Sequence, residues 1–135
     1  MNLDKIYFKN REDAARKLAD VLPIDNMRLE EWTVIAVSNG GYAIAKIIAR
    51  ELNAKLDIMF NEKIYAPNNE ECEIAVVTEL EEVLIHEELV KSFDIDLNYI
   101  YSKSKIIYED ILKPKIASFR AGLKLDNLEG KNILI

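Results

Sequence analysis

The sequence predicts an α/β domain built around a parallel crossover. The β-branched run "TVIAVS" (33–38) leads through a glycine pair into the amphipathic run "YAIAKIIARELN" (42–53), and a second short apolar run, "KLDIMF" (55–60), follows. Strand, turn, helix and strand within about 30 residues form a βαβ unit, whose connection brings the two strands parallel through a right-handed crossover. Half of the 135 residues are apolar, with only 4 Gly and 3 Pro. That is the composition of one compact domain with a real core.

Taken in order, Asn10 fits the N-cap of a helix over residues 11–22. Glu12 and Asp13 suit its first turn, and Ala14, Leu18, Val21 and Leu22 recur at helical spacing. Pro23 and "IDNMRLEEW" end it, and "TVIAVS" has the make-up of a strand buried on both faces. In the next helix Ile44, Ile47, Ile48 and Leu52 share one stripe, Lys46, Arg50 and Glu51 lie away from it, and Asn53 supplies a stop. Residues 61–72, "NEKIYAPNNEEC", read as a polar segment with turn chemistry at Pro67-Asn68-Asn69. "EIAVVTE" and "EEVLIHE" read as two short strands, paired as a hairpin through residues 79–82. One or two helices are expected from His86 to Arg120, with the interruption of the run 94–112 not located. "LEGKNILI" is a glycine turn leading into a last apolar run.

Charge and composition exclude several classes. A net charge of −6 and a pI near 4.9 give no basic face for sequence-independent nucleic-acid binding, although a local basic spot can still hold a small polyanion. The single Cys72 allows no intrachain disulfide and suits a reducing compartment. "MNLDKIYFKNRED" lacks the apolar core of a signal peptide, and "YAIAKIIA" is interrupted by Lys46 and falls short of the roughly 20 residues of a membrane span. The expectation is a soluble cytoplasmic protein without a membrane or nucleic-acid partner.

One His and one Cys offer no zinc spacing. Neither a Gly-x-Ser-x-Gly elbow nor a Gly-x-Gly-x-x-Gly or Lys-bearing phosphate loop occurs. What remains is Ser38-Asn39-Gly40-Gly41 between strand and helix. Bare backbone there lets N–H groups and the helix dipole approach an anion, with Ser38 and Asn39 as neutral donors. The same residues also suit a plain tight turn. Lys63, just past the second predicted strand, is a second candidate, because carboxyl ends of parallel strands are where such sheets bind ligands; a solvated loop lysine is the alternative. Glu70, Glu71, Glu73, Glu79, Glu81 and Glu82 read as loop solvation and edge protection rather than paired catalytic acids. His86 reads as a helix-start residue, and Trp32, Tyr42 and Tyr65 serve packing or stacking equally well.

In sequence these pieces resemble the type I phosphoribosyltransferases. "FKNREDAARKLADVL" is similar to the opening helix of one subgroup, Phe-x-Asp/Asn-Arg-x-x-Ala-Gly-x-x-Leu-Ala. "VIAVSNGGYAIAKIIARELNAKLDIM" resembles that group's Leu-Pro-Arg-Gly-Gly-Val-x-x-Ala strand, loop and helix with the Ala-x-Leu-Asp strand behind it. "EKIYAPNNEECEIAVV" resembles Arg-Lys-Ile/Leu-Gly-x-Pro-x-Asn-x-Glu-x-x-Ile-Gly-Ala, and "FRAGLKLDNLEGKNILI" resembles Tyr-Arg-Gly…Leu-x-Gly-Lys-x-Val-Ile-Leu. The resemblance implies a parallel sheet flanked by helices with a hood over the acceptor. It implies transfer between phosphoribosyl pyrophosphate, with magnesium, and a nucleobase or related nitrogen acceptor. Ser38, Asn39, Gly40 and Gly41 would be the pyrophosphate loop, Lys63 a basic contact to the same group, and residues 64–82 a mobile flap within a hairpin region of about 61–85.

Three departures qualify this. Asn39 replaces the subgroup's Arg, removing a charge-assisted contact of about 1.5–3 kcal/mol. Glu62 replaces the Arg before Lys63 and sets a negative charge beside a polyanion site. The family's apolar strand ending in two acidic residues and a Thr-Gly turn, which holds the ribose and its 5′-phosphate, has no counterpart before Ile135. The expectation is therefore a transferase truncated before its ribose-phosphate loop. A non-catalytic ligand-sensing or dimerisation relative and an unrelated βαβ domain are the alternatives. Catalytic residues and metal ligands are not assigned, and an exposed sheet edge is expected to favour a homodimer or aggregation.

Overall fold

In a computed structural model that describes residues 7–135, the chain forms two compact units. The first comprises the chain up to Met59 together with Asp126–Ile135, and the second is Phe60–Leu125. The reading of a missing signal peptide falls in part on residues 1–6, outside the described residues.

The first unit is α/β. Helix α1 (Arg11–Val21) is capped as expected, Asn10 Oδ1 accepting from the Asp13 N–H at 2.9 Å. A helical turn, α2 (Ile24–Met27), precedes strand β1 (Trp32–Ala36), whose last four residues are buried. Helix α3 (Asn39–Leu52) ends on Asn53 in the left-handed conformation, φ 52°. This is the stop read from sequence, since Asn adopts that conformation more readily than most residues. Strand β2 (Lys55–Ile58) and the final strand β6 (Asn132–Leu134) lie on either side of β1, both parallel to it, in the order β2-β1-β6. Val34 is opposite Leu56 on one side and Leu134 on the other. Helix α3 packs on β1 and β2, and α1 packs on α3. Ala15, Val34, Ile35, Ala45, Ile48 and Leu52 form the core, which explains why the α3 stripe and the β1 run are apolar.

The second unit is an antiparallel sheet with helices. Strands β3 (Asn61–Ala66), β4 (Asn69–Thr78) and β5 (Val83–Ile85) pair in that order. The β4–β5 hairpin is the one expected. The polar segment 61–72, by contrast, is a strand, a two-residue turn at Pro67-Asn68 with Asn68 at φ 60°, and the start of the next strand. Ile64 is buried while Lys63 and Tyr65 face solvent, so the segment is polar because one face of it is wet.

Helix α4 (Glu87–Ser92) starts on His86, whose Nδ1 accepts from the Leu89 N–H at 3.4 Å, and α5 (Leu97–Ile107) follows. From Leu97 onward the helical run does not break. It widens into a π-type turn over Tyr108–Leu112 and resumes as α6 (Lys113–Arg120) with Pro114 in its first turn. Proline has no N–H to donate and its ring crowds the preceding turn, so a wider turn just ahead of it accommodates both. Ile64, Ile74, Ala75, Val90 and Ile100 are the core of this unit.

Candidate functional site

The loop Ser38–Gly41 lies at the carboxyl end of β1, the central strand of the parallel sheet. It is not a turn placed ahead of the helix: Asn39, Gly40 and Gly41 are the first helical residues, and Ser38 is the N-cap. Ser38 Oγ accepts from the Gly41 N–H at 2.9 Å, and its carbonyl accepts from the Tyr42 N–H at 2.9 Å. Of the loop amides this leaves Asn39 and Gly40 N–H, which have no acceptor within the helix. Neither glycine has a positive φ, so the backbone itself does not demand glycine, although only Val37 and Ser38 separate β1 from α3, the short connection that a tight turn makes.

The glycines instead give room. A Cβ on Gly40 would stand 2.8 Å from Arg11 Nη2 and 2.9 Å from Nε, and one on Gly41 would stand 3.0 Å from Ser38 Oγ. Gly41 thus admits the cap, and Gly40 admits a guanidinium from the start of α1. Arg11 is the residue that local sequence reading missed. Its signal was available only as the Arg in the opening-helix motif, far upstream of Gly40 in the chain.

The groove beside the loop, about 290 Å³, is lined by Leu18, Val37, Ile44, Leu134 and Ile135 and is apolar. A larger cavity of about 680 Å³ opens at the amino ends of the same strands, by Trp32, Lys55 and Asn132. Ligands of parallel sheets bind at the opposite, carboxyl ends.

Lys63 is part of the second unit, on β3 rather than in a loop after β2. Its ammonium meets the Glu73 carboxylate on β4 at 2.8 Å, and that hydrogen bond holds the Lys63 pKa above its ordinary 10.5. Glu62, expected to repel a polyanion, is bound by Lys115 of α6 at 2.6 Å. Each of these charges already has a partner in its own unit.

The acidic residues divide against expectation at one position. Glu79 is not solvation. It is buried and receives a bidentate bond from buried Arg120, and its Oε2 accepts the Phe60 N–H at 3.1 Å. Phe60 and Phe119 meet edge to face at 5.2 Å, and the guanidinium lies 5.7 Å from the Phe119 ring centre. Tyr108 has its pKa pushed above 10.0, first by burial and then by the charge of Glu81.

Among the described residues no group of three or more His, Cys, Asp or Glu could hold a metal ion, and no helix is long and apolar enough to cross a membrane. The loop Ser38–Gly41 carries no carboxylate.

No family model and no curated protein matches the chain. A structural match exists to the crystal structure of TT1426 from Thermus thermophilus, at a TM-score of 0.71 and 24% identity. The match covers 93% of this chain and 58% of that one, so the chain spans little more than half the length of its structural neighbour. The α/β fold is shared; the likeness at this identity speaks to the fold alone.

Proposed function

We propose that the chain is a phosphoribosyltransferase-type protein whose Ser38–Gly41 loop receives the pyrophosphate of phosphoribosyl pyrophosphate, with a nucleobase or related nitrogen compound as acceptor. The observation that carries the reading is the start of α3. At the carboxyl end of the central parallel strand, two N–H groups have no acceptor within the helix and no acidic residue occupies the first turn. As pyrophosphate departs it gains negative charge, and fixed amide dipoles aimed at that position stabilise the transition state. Magnesium belongs to the substrate in this reading and arrives on the diphosphate.

Calorimetry with magnesium and phosphoribosyl pyrophosphate tests the reading directly. Binding is expected, with inorganic pyrophosphate competing for the same site. A chain that binds neither compound refutes it.

A second reading is favoured by one set of contacts: a relative that binds the ligand without turning it over. Asn39 supplies no cation, the Gly41 N–H is taken by Ser38, and Lys63 is paired with Glu73. Release of pyrophosphate from phosphoribosyl pyrophosphate, followed across a panel of nucleobases, separates the two. Binding without release selects the second.

A further inference from the structure

We propose that Arg11 is the anion-binding cation of the Ser38–Gly41 loop, supplying from α1 the positive charge that Asn39 does not. The proposal rests on the loop reading above and assigns it a residue. Arg11 is exposed at the first position of α1, and its guanidinium reaches across to the first turn of α3, filling the space a Gly40 side chain would occupy. It therefore sits at the positive ends of two helices at once. A cation at either end is unfavourable, and α3 has no acid in its first turn to offset it.

The two acids nearest to Arg11 in sequence are engaged elsewhere. Glu12 holds Arg16 at 2.5 Å, and Asp13 holds Lys17 at 2.8 Å while accepting the Lys9 N–H at 3.0 Å. Among the described residues no carboxylate is ion-paired with Arg11. The Arg11 guanidinium thus meets the first turn of α3, where Asn39 and Gly40 N–H have no acceptor within the helix and no acidic residue stands. The oxygens of a diphosphate placed there would accept from the guanidinium and from the Asn39 and Gly40 N–H groups, and would make the contact of the cation with the α3 helix end favourable. Asn39 needs no charge in this arrangement, because the charge comes from a neighbouring helix.

The test is calorimetry with magnesium and inorganic pyrophosphate on the wild-type chain, Arg11→Gln and Arg11→Lys, together with thermal melts of all three without anion. Arg11→Gln is expected to bind at least about tenfold more weakly, the size of a lost charge-assisted bond. Arg11→Lys should keep part of the affinity. Without anion, Arg11→Gln should melt at or above the wild-type temperature, since the cation is there at a cost. If Arg11→Gln binds as the wild type does, the assignment of Arg11 is overturned and the loop reading survives. If the wild type itself binds no pyrophosphate, both are overturned. If Arg11→Gln melts well below the wild type, Arg11 is structural and the assignment is overturned whatever its affinity.

Discussion

Gly40→Ala should leave the fold intact while displacing the cation from the loop. The backbone at Gly40 is helical, without positive φ, so alanine gains up to about 1 kcal/mol of helix propensity and reduced chain entropy in the unfolded state. Against this, the new Cβ would lie 2.8 Å from Nη2, 2.9 Å from Nε and 3.2 Å from Cζ of Arg11. Normal contact is about 3.5–4 Å, so the guanidinium must retreat by roughly 0.5–1 Å. It is the end of an exposed, flexible side chain and can do so at little cost. The net expectation is a melting temperature unchanged or raised by about 2–4 °C.

Binding moves the other way. Losing the aligned guanidinium removes about 1.5–3 kcal/mol, so pyrophosphate affinity should fall about 10- to 100-fold. Calorimetry and circular-dichroism melts on the same preparation read both quantities. Wild-type affinity in Gly40→Ala would refute the reasoning, as would a melting temperature lowered by several degrees. Gly41→Ala is the contrast: its Cβ would press on Ser38 Oγ at 3.0 Å, loosening the cap and costing about 0.5–2 kcal/mol.

Other outcomes follow from contacts elsewhere. Arg120→Met removes the cation from the buried Glu79 carboxylate and should cost about 3–5 kcal/mol in urea unfolding, whereas Glu79→Leu with Arg120→Met should recover part of it, the Phe60 N–H losing its acceptor; equal losses for the single and double variants would contradict this. Asp13 has its carboxyl held below the ordinary 3.8, first by the Lys17 hydrogen bond and then by the Lys9 N–H. Its stabilising effect is therefore present above that value and lost as pH falls through the lowered one. Asp13→Asn should melt below the wild type at neutral pH and approach it as pH falls below the ordinary carboxylate range, and a gap that does not narrow on acidification would count against the linkage. The side of β6 that pairs with no strand among the described residues, beside exposed Ile135 and Val37, is expected to associate with a second copy. Light scattering should show mass rising with concentration and falling in Ile135→Lys; a concentration-independent monomer would refute it.

Features set by neighbours in sequence were legible. The cap at Asn10, the stop at Asn53, the β1–α3–β2 unit and the glycine-led β6 follow from patterns within one element or its flanks. Strand β3 was missed although Ile64 and Ala66 alternate with Lys63 and Tyr65 ahead of a two-residue turn. So short an alternation among charges gives a weak signal, and Pro67-Asn68-Asn69 drew the reading toward loop. The π-type turn had a local mark in Pro114, but a proline equally signals a break. Glu79 with Arg120, and Arg11 with Gly40, join residues far apart in the chain, and no periodicity reports such a meeting. The local rule that acidic runs are solvent-facing holds for Glu81 and Glu82 and fails for Glu79, because its partner arrives from a distant helix.

The order β2-β1-β6 also governs how the chain can fold. Val34 must find Leu134, near the far end of the chain, whereas its pairing with Leu56 closes after a single helix. Closing so long a loop is slow, since its entropy is lost before the contact forms. If Phe60–Leu125 condenses first, the flexible chain left to close is far shorter. On a ribosome β6 emerges after the whole inserted unit, so the parallel sheet waits with β1 open on one side until that segment has been made. Substitutions that slow the inserted unit would then prolong exposure of that open strand, and their yield of soluble protein would suffer more than their equilibrium stability indicates.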